Sequence, residues 1–251
     1  MNLNFKNKNI FITGSTKGIG FDIAKSFADS GANVVINSRT LKDCKKASNL
    51  IQKSQFVCGD MSNPSEAESI LGQVLSVLGS LDVLVCNIGS GKSASPGKDV
   101  FQDWDNMLSK NFYTTVNAVD AARPFLEQSQ GSIVCISSIC GHEVIKGAPI
   151  SYSVAKAALN SYIKAMAWPL GKENIRINGV SPGNINFQGS SWQRKIEDQK
   201  ESVEAMLLAD VPQNRFGRTS EIASAVLFVA SENSSFTTGS IVVVDGGQSR
   251  N

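Results

Sequence analysis

Asn9-Ile10-Phe11-Ile12, followed by Thr13-Gly14-Ser15-Thr16-Lys17-Gly18-Ile19-Gly20 and then an amphipathic helical pattern, decides how this chain folds. Four residues dominated by Ile and Phe read as a strand buried on both faces. A glycine-rich turn then leads into the helix. This order makes a phosphate cradle, because glycine lets the backbone approach an anion and the N–H groups of a first helical turn lack partners within the helix. The spacing is neither G-x-G-x-x-G nor a P-loop. A plain strand-to-helix turn fits the same residues.

The alternation continues along the chain. Apolar runs at 33–37, 55–58, 82–86, 133–136, 175–180 and 241–244 read as further strands. Helical patterns fall between them, at 41–51, from Asn63-Pro64 to 78, at 101–126, from Tyr152 to 171 and at 220–231. Strands separated by helices call for βαβ units and a parallel sheet. Gly31 stands where the first helix needs a C-terminal cap. Pro169 removes a backbone donor in the last turn of its helix and predicts an early end or a kink. Asn111 lies inside the 101–126 helix. Asn is a poor helix former, so it marks a local break in the backbone or an exposed polar residue. The stretch 90–99, rich in Gly, Ser and Lys, reads as a loop over the carboxyl edge of the sheet. The long polar connection 184–214, helical in its middle, has the size of an active-site lid.

Tyr152 and Lys156 are four residues apart at the start of a helix, which stacks them on one face. A cation beside a phenol favours the ionised form and lowers its pKa from about 10. A tyrosine tuned in this way exchanges a proton near neutral pH. Ser138 follows the run Ile133-Val134-Cys135-Ile136, so its hydroxyl stands at a strand's carboxyl end, where open α/β sheets bind ligands. An ordinary surface Tyr and Lys would show the same spacing.

Composition narrows the function. The chain has 251 residues, 41% hydrophobic and 18% charged, with a net charge of +2 and scattered basic residues. That argues for one sizeable core and against nucleic-acid binding. No apolar run reaches the roughly 18–20 residues that span a membrane, and residues 1–8 lack a signal-peptide core. The five cysteines, Cys44, Cys58, Cys86, Cys135 and Cys140, contain no C-x-x-C pair and read as thiols in a reducing cytoplasm. With one histidine, His142, no metal site assembles.

Thr13-Gly14-x-x-x-Gly18-Ile19-Gly20, Cys86-Asn87-Ile88-Gly89, Asn111, Ser138, Tyr152, Lys156 and Ser181-Pro182-Gly183 together resemble the short-chain dehydrogenase/reductase family, in its single-domain branch of about 250 residues that includes 3-oxoacyl reductases. The resemblance runs from about Phe5 to Gly247. It implies a Rossmann-type doubly wound parallel sheet with helices on both faces, in one domain. It implies Tyr152 as general acid or base, Lys156 on the nicotinamide ribose, Ser138 on the substrate oxygen and Asn111 in a proton relay through a held water. Gly14, Ser15, Thr16, Lys17, Gly18, Ile19, Gly20, Ser38, Arg39, Asp60, Met61, Asn87, Gly89, Pro182, Gly183 and Ile185, with Tyr152 and Lys156, are its implied cofactor contacts. Ser138 rather than Ser137 is matched to the family's serine because Gly141 then falls on the following glycine. The resemblance also implies a homo-oligomer, a tetramer, in which the helices of Phe101 and Tyr152 pair through residues such as Val116, Val119, Leu159 and Ile163.

Two departures concern the cofactor. Ile88 replaces a small residue, and Phe187 stands where the family often has a threonine, so that Ser190, Ser191 or no residue takes its place. His142 reads as a substrate contact or as a solvated loop residue. Trp192 and Phe187 read as the lid's apolar face. NADP(H) rather than NAD(H) is expected, because Ile36-Asn37-Ser38-Arg39 carries no carboxylate at the strand end and Arg39 and Lys17 supply cations for a 2′-phosphate. The expected activity is hydride transfer between nicotinamide and a ketone or secondary alcohol. A non-catalytic NADP-binding module and a sugar-nucleotide dehydratase or epimerase are the alternatives. Glu127-Gln128-Ser129-Gln130 supplies no basic surface for an acidic carrier protein, while Lys92, Lys98, Lys146, Arg194 and Lys195 leave a polar or anionic carbonyl compound open.

Overall fold

The structure, a computed structural model, describes residues 3–250. In chain order the elements are β1 (Asn9–Ile12), α1 (Gly18–Asp29), β2 (Asn33–Ser38), α2 (Leu41–Ser48), β3 (Ser54–Cys58), α3 (Pro64–Leu78), β4 (Val83–Cys86), α4 (Phe101–Leu108), α5 (Thr114–Ser129), β5 (Ser132–Ile136), α6 (Ile150–Lys172), β6 (Arg176–Pro182), α7 (Ser191–Asp210), α8 (Thr219–Ala230) and β7 (Ile241–Val244). The strands form one parallel sheet in the order β3-β2-β1-β4-β5-β6-β7.

Alternate strand residues feed two cores. Ile10, Ile12, Val34, Ile36 and Val85 pack with Ile23 and Phe27 of α1 and with Ile222 and Val226 of α8. Phe11, Val35, Leu84 and Ile133 face the other way, against α3, α5 and α6. With helices on both faces, the central strands are apolar throughout rather than alternating. The chain runs outward from β1 to β3, then returns to β4 on the other side of β1. That reversal opens a crevice at the carboxyl ends of β1 and β4.

Three local expectations need correction. Residues 101–129 are not one helix: between α4 and α5 the turn Ser109–Tyr113 is π-helical, with the Thr114 N–H reaching back to Ser109 O. Asn111 lies in this turn, so of its two readings the backbone break holds. Pro169 neither ends nor shortens α6, which continues to Lys172. Val119, Leu159 and Ile163, expected at a subunit contact, are wholly buried against the sheet. The 3.6-residue period shows that a helix face is apolar without saying which neighbour covers it.

Candidate active site

The cradle after β1 is built by close approach. Gly14 and Gly18 have φ of +59° and +58°, where only glycine is unstrained. At Gly20 a Cβ would lie 2.3 Å from Asn87 Nδ2 and 2.8 Å from Gly14 O. Asn87 explains that crowding. Its amide donates to Thr13 O (3.1 Å) and Gly14 O (2.8 Å), and its backbone N–H donates to Thr13 Oγ1 (3.0 Å). The end of β4 thereby fastens the turn after β1 across the crevice.

A cleft of about 1410 Å³ runs along the carboxyl edge of the sheet. The cradle lines it at one end, through Gly14, Thr16, Lys17, Ile19 and Gly20, with Ser38, Arg39 and Asp60 beside it. Asn87, Gly89, Pro182, Gly183 and Ile185 line it further along, and Ser138, Tyr152 and Lys156 stand at its floor. Residues from 90–96, 143–149 and α7 form the walls. Among the described residues no group of His, Cys, Asp and Glu could hold a metal.

Around the floor each polar group has a defined partner. Ser137 gives its hydroxyl to Asn160 Oδ1. Ser138 accepts from the Cys140 N–H at 3.2 Å and lies against the Tyr152 phenol. Burial pushes the Tyr152 phenol up to about 12, with Ser138 pulling it down against that trend. Burial also lowers Lys156 to about 8, and its ammonium donates to Ile136 O at 2.8 Å. The expectation that Lys156 depresses the tyrosine is therefore not met: burial dominates the phenol, and the lysine, itself desolvated, is aimed at a carbonyl. Asn111 donates to Met107 O (3.0 Å) and Ser90 O (3.2 Å) and accepts from the Ser90 N–H (2.9 Å). A Cβ on Gly89 would lie 2.9 Å from Asn111 Oδ1 and 3.2 Å from Lys156 Nζ, so that position brings both groups to one point.

The profile of a family described as enoyl-(acyl carrier protein) reductase matches residues 14–249. A 3-oxoacyl-(acyl-carrier-protein) reductase of Chlamydia muridarum is 33% identical over 255 residues, covering 98% of this chain and 99% of its own. The chain belongs to the short-chain dehydrogenase/reductase family. It is an oxidoreductase of that family. Among solved structures, a 7α-hydroxysteroid dehydrogenase complexed with NADH and 7-oxo glycochenodeoxycholic acid superposes with a TM-score of 0.90 at 29% identity, covering 100% of this chain and 98% of that one. The Pseudomonas aeruginosa RhlG/NADP active-site complex also scores 0.90, at 26% identity, covering 98% of both chains.

Within this short-chain dehydrogenase/reductase, several of the residues singled out by the sequence have side chains with partners inside the protein. Ser15 is fully buried, donating to Ile12 O (2.6 Å) and accepting from the Asn37 N–H (3.1 Å), so its side chain ties β1 to β2. The Met61 side chain is fully buried against α3 and α5. Gly18 is covered by the Phe187 ring, which would meet a Cβ there at 2.6 Å. Trp192 and Phe187 both line the cleft, and Trp192 also packs on the Phe216 ring, with centroids 5.3 Å apart, while Lys195 Nζ sits 4.6 Å over the Trp192 ring. Ser190 and Ser191 both line the cleft, but the Ser190 hydroxyl already caps α7 by accepting from the Gln193 N–H at 3.0 Å and donates to Asn186 Oδ1 at 2.9 Å. His142 is not at the cleft; its Nε2 pairs with Ser181 Oγ at 3.0 Å, and burial lowers its pKa.

Two contributors carry no sequence motif. Asn37, fully buried, donates to Val57 O (3.2 Å) and Gly59 O (3.3 Å) and holds the ends of β2 and β3 together. Its one signal in the sequence is an amide at the buried end of an apolar strand. Cys140 lines the cleft beside Tyr152, which no sequence pattern announces.

Proposed function

We propose that this protein is an NADP(H)-dependent oxidoreductase that interconverts a ketone and a secondary alcohol, with Tyr152 as the general acid or base. The convergence of Ser138, Tyr152 and Lys156 at the end of β5, on the floor of a cleft that begins at a glycine cradle, carries the reading. A dinucleotide fits this chain because Gly14, Thr16, Ile19 and Gly20, in the turn after β1 and the first turn of α1, line one end of the cleft, where helix N–H groups without partners face an anion. Gly14, Thr16, Ile19 and Gly20 would hold its phosphates, Arg39 and Lys17 the 2′-phosphate, Asp60 the adenine, and Lys156 the nicotinamide ribose. Bound there, the nicotinamide supplies or accepts the hydride.

In reduction, Ser138 holds the carbonyl oxygen and Tyr152 gives it a proton. A phenol near 12 stays protonated at neutral pH, as an acid must. Lys156 contributes positive charge next to the developing alkoxide. Asn111, held by Ser90 and Met107, completes the path that returns the proton.

The chain acts as one domain, with residues 184–214 as substrate lid, in the cytoplasm, consistent with five free thiols and no helix among the described residues long and apolar enough to cross a membrane. It assembles as a homo-oligomer, a tetramer. Phe101 (83% exposed) on α4, Tyr113 in the π-turn and Trp168 (75% exposed) on α6 are the side chains that such contacts would cover.

A steady-state screen of carbonyls and alcohols with NADPH, NADP, NADH and NAD tests the reading. Turnover of a ketone or secondary alcohol supports it. Cofactor binding with no turnover across the panel supports the binding module, and release of water or epimerisation without net cofactor consumption supports the other chemistry.

A further inference from the structure

We propose that Cys44 and Cys58 form a redox-sensitive thiol pair beneath Ser38 and Arg39, and that its oxidation to a disulfide weakens NADP(H) binding. The second half rests on the NADP(H) reading above; the cross-link does not. Cys58 ends β3, the edge strand of the sheet, in register with Ser38 at the end of β2. Cys44 lies on α2, packed against the same strand end. The Cys44 thiol donates to Ser38 O at 3.5 Å and the Cys58 thiol to Arg39 O at 3.3 Å. Two sulfurs thus sit on successive carbonyls of the segment that carries the candidate 2′-phosphate cation. They are close enough that Cys58, after burial, helps push the Cys44 thiol up to about 11.

Access gives the order of events. Cys58 is half-buried and Cys44 fully buried. A hydroperoxide therefore meets Cys58 first. The Cys58 sulfur attacks a peroxide oxygen, the O–O bond breaks, and a sulfenic acid forms with release of an alcohol or water. The Cys44 sulfur then attacks the Cys58 sulfur, the S–O bond breaks, water leaves, and the disulfide forms. The two thiols lose two electrons and two protons, and the peroxide gains them. Cys86 and Cys135 also face each other, across β4 and β5, but both are enclosed in the core, away from any oxidant.

The consequence falls on Arg39. A disulfide brings its sulfurs to about 2.05 Å, which draws α2 toward the end of β3. Both S–H donors are lost, so the carbonyls of Ser38 and Arg39 are released from the thiols that hold them. The guanidinium, 3.4 Å from Asp60 in the reduced protein, shifts with its backbone.

The test treats the full chain with hydrogen peroxide, maps its peptides by mass spectrometry, and titrates NADPH and NADH by fluorescence before oxidation, after it, and after dithiothreitol. The expected result is a Cys44–Cys58 linked peptide, a rise of about tenfold in the NADPH dissociation constant that dithiothreitol reverses, and little change for NADH. Cys44→Ser and Cys58→Ser should each abolish both the link and the oxidative shift. Absence of the linked peptide in oxidised, folded wild type overturns the proposal, as does an equal loss of affinity in the serine variants. A linked peptide with unchanged NADPH affinity overturns its effect on binding. Should the reduced protein bind no NADPH, the cofactor reading fails, while the peptide map still decides the cross-link.

Discussion

Lys156 Nζ lies 2.8 Å from the carbonyl oxygen of Ile136, the last residue of β5, and donates to it. The lysine is 3% exposed, and burial brings it from 10.5 to about 8. A folded pKa below the unfolded one means that the unfolded chain binds more protons between pH 8 and 10.5, so stability rises with pH across that window. Below pH 8 the buried charge costs roughly 3 kcal/mol, at about 1.4 kcal/mol per pKa unit. Lys156→Met should therefore raise the thermal midpoint at pH 7 and lose turnover, and its stability advantage should shrink as pH rises from 8 to 10.5. Differential scanning calorimetry at pH 7 and 9.5 reads this directly; an advantage that does not change with pH would sink the assignment.

Tyr152→Phe should reduce turnover by about 10² to 10⁴, the usual contribution of a positioned general acid, with NADPH binding largely kept. In the wild type, the rate of ketone reduction should be flat from pH 6 to about 8 and fall above it. Lys156 loses its charge there, whereas Tyr152 keeps its proton to about 12. Stopped-flow single turnovers across this range decide the matter, and a rate that climbs between pH 8 and 9 contradicts the two roles.

Arg39 is an exposed cation whose partner in the structure is Asp60 at 3.4 Å. An exposed pair of this kind contributes about 0–1 kcal/mol, so the guanidinium is free to engage a phosphate. A charge-assisted hydrogen bond is worth roughly 1.5–3 kcal/mol. Arg39→Ala and Lys17→Ala should each raise the Michaelis constant for NADPH about tenfold or more and barely move that for NADH. Equal efficiency of the wild type with both nucleotides would show the electrostatic argument to be wrong.

Gly20→Ala places a methyl group 2.8 Å from the Gly14 carbonyl, against backbone that cannot yield. It should destabilise the fold by about 1–3 kcal/mol and abolish dinucleotide binding. Gly72, inside α3, has open space on the side where a Cβ would stand, with nothing within 4 Å. Gly72→Ala should stabilise by roughly 0.5–1 kcal/mol, because alanine loses less backbone freedom in a helix. Urea melts of the two variants provide opposite signs to check.

Light scattering at micromolar concentration should show an oligomer. Trp168→Glu on α6 and Phe101→Glu on α4 place charge on exposed apolar side chains and should dissociate it without unfolding the chain. A mass near 27 kDa for the wild type, matching the 26.8 kDa chain, would reject assembly.

Local order makes much of this protein legible in its sequence. A strand needs only its apolar run, and a helix start its cap: Asn63 accepts from the Glu66 N–H and Pro64 opens α3, as their neighbours in sequence dictate. The glycine turn, the four-residue spacing of Tyr152 and Lys156, and the place of Ser138 after β5 depend on residues close together in the chain. Burial and partnership do not. Ser15 and Met61 are implied cofactor contacts by resemblance, and only the fold shows that their side chains are buried. Ser137 and Ser138 are adjacent, yet only packing against α6 commits one hydroxyl to Asn160 and leaves the other beside the phenol. Val119, Leu159 and Ile163 share a period with surface residues, and the sheet claims them. The direction of the Tyr152 pKa turns on how far water is excluded from a phenol and an ammonium. That is a property of segments far apart in sequence closing over one another, and side-chain spacing carries no measure of it.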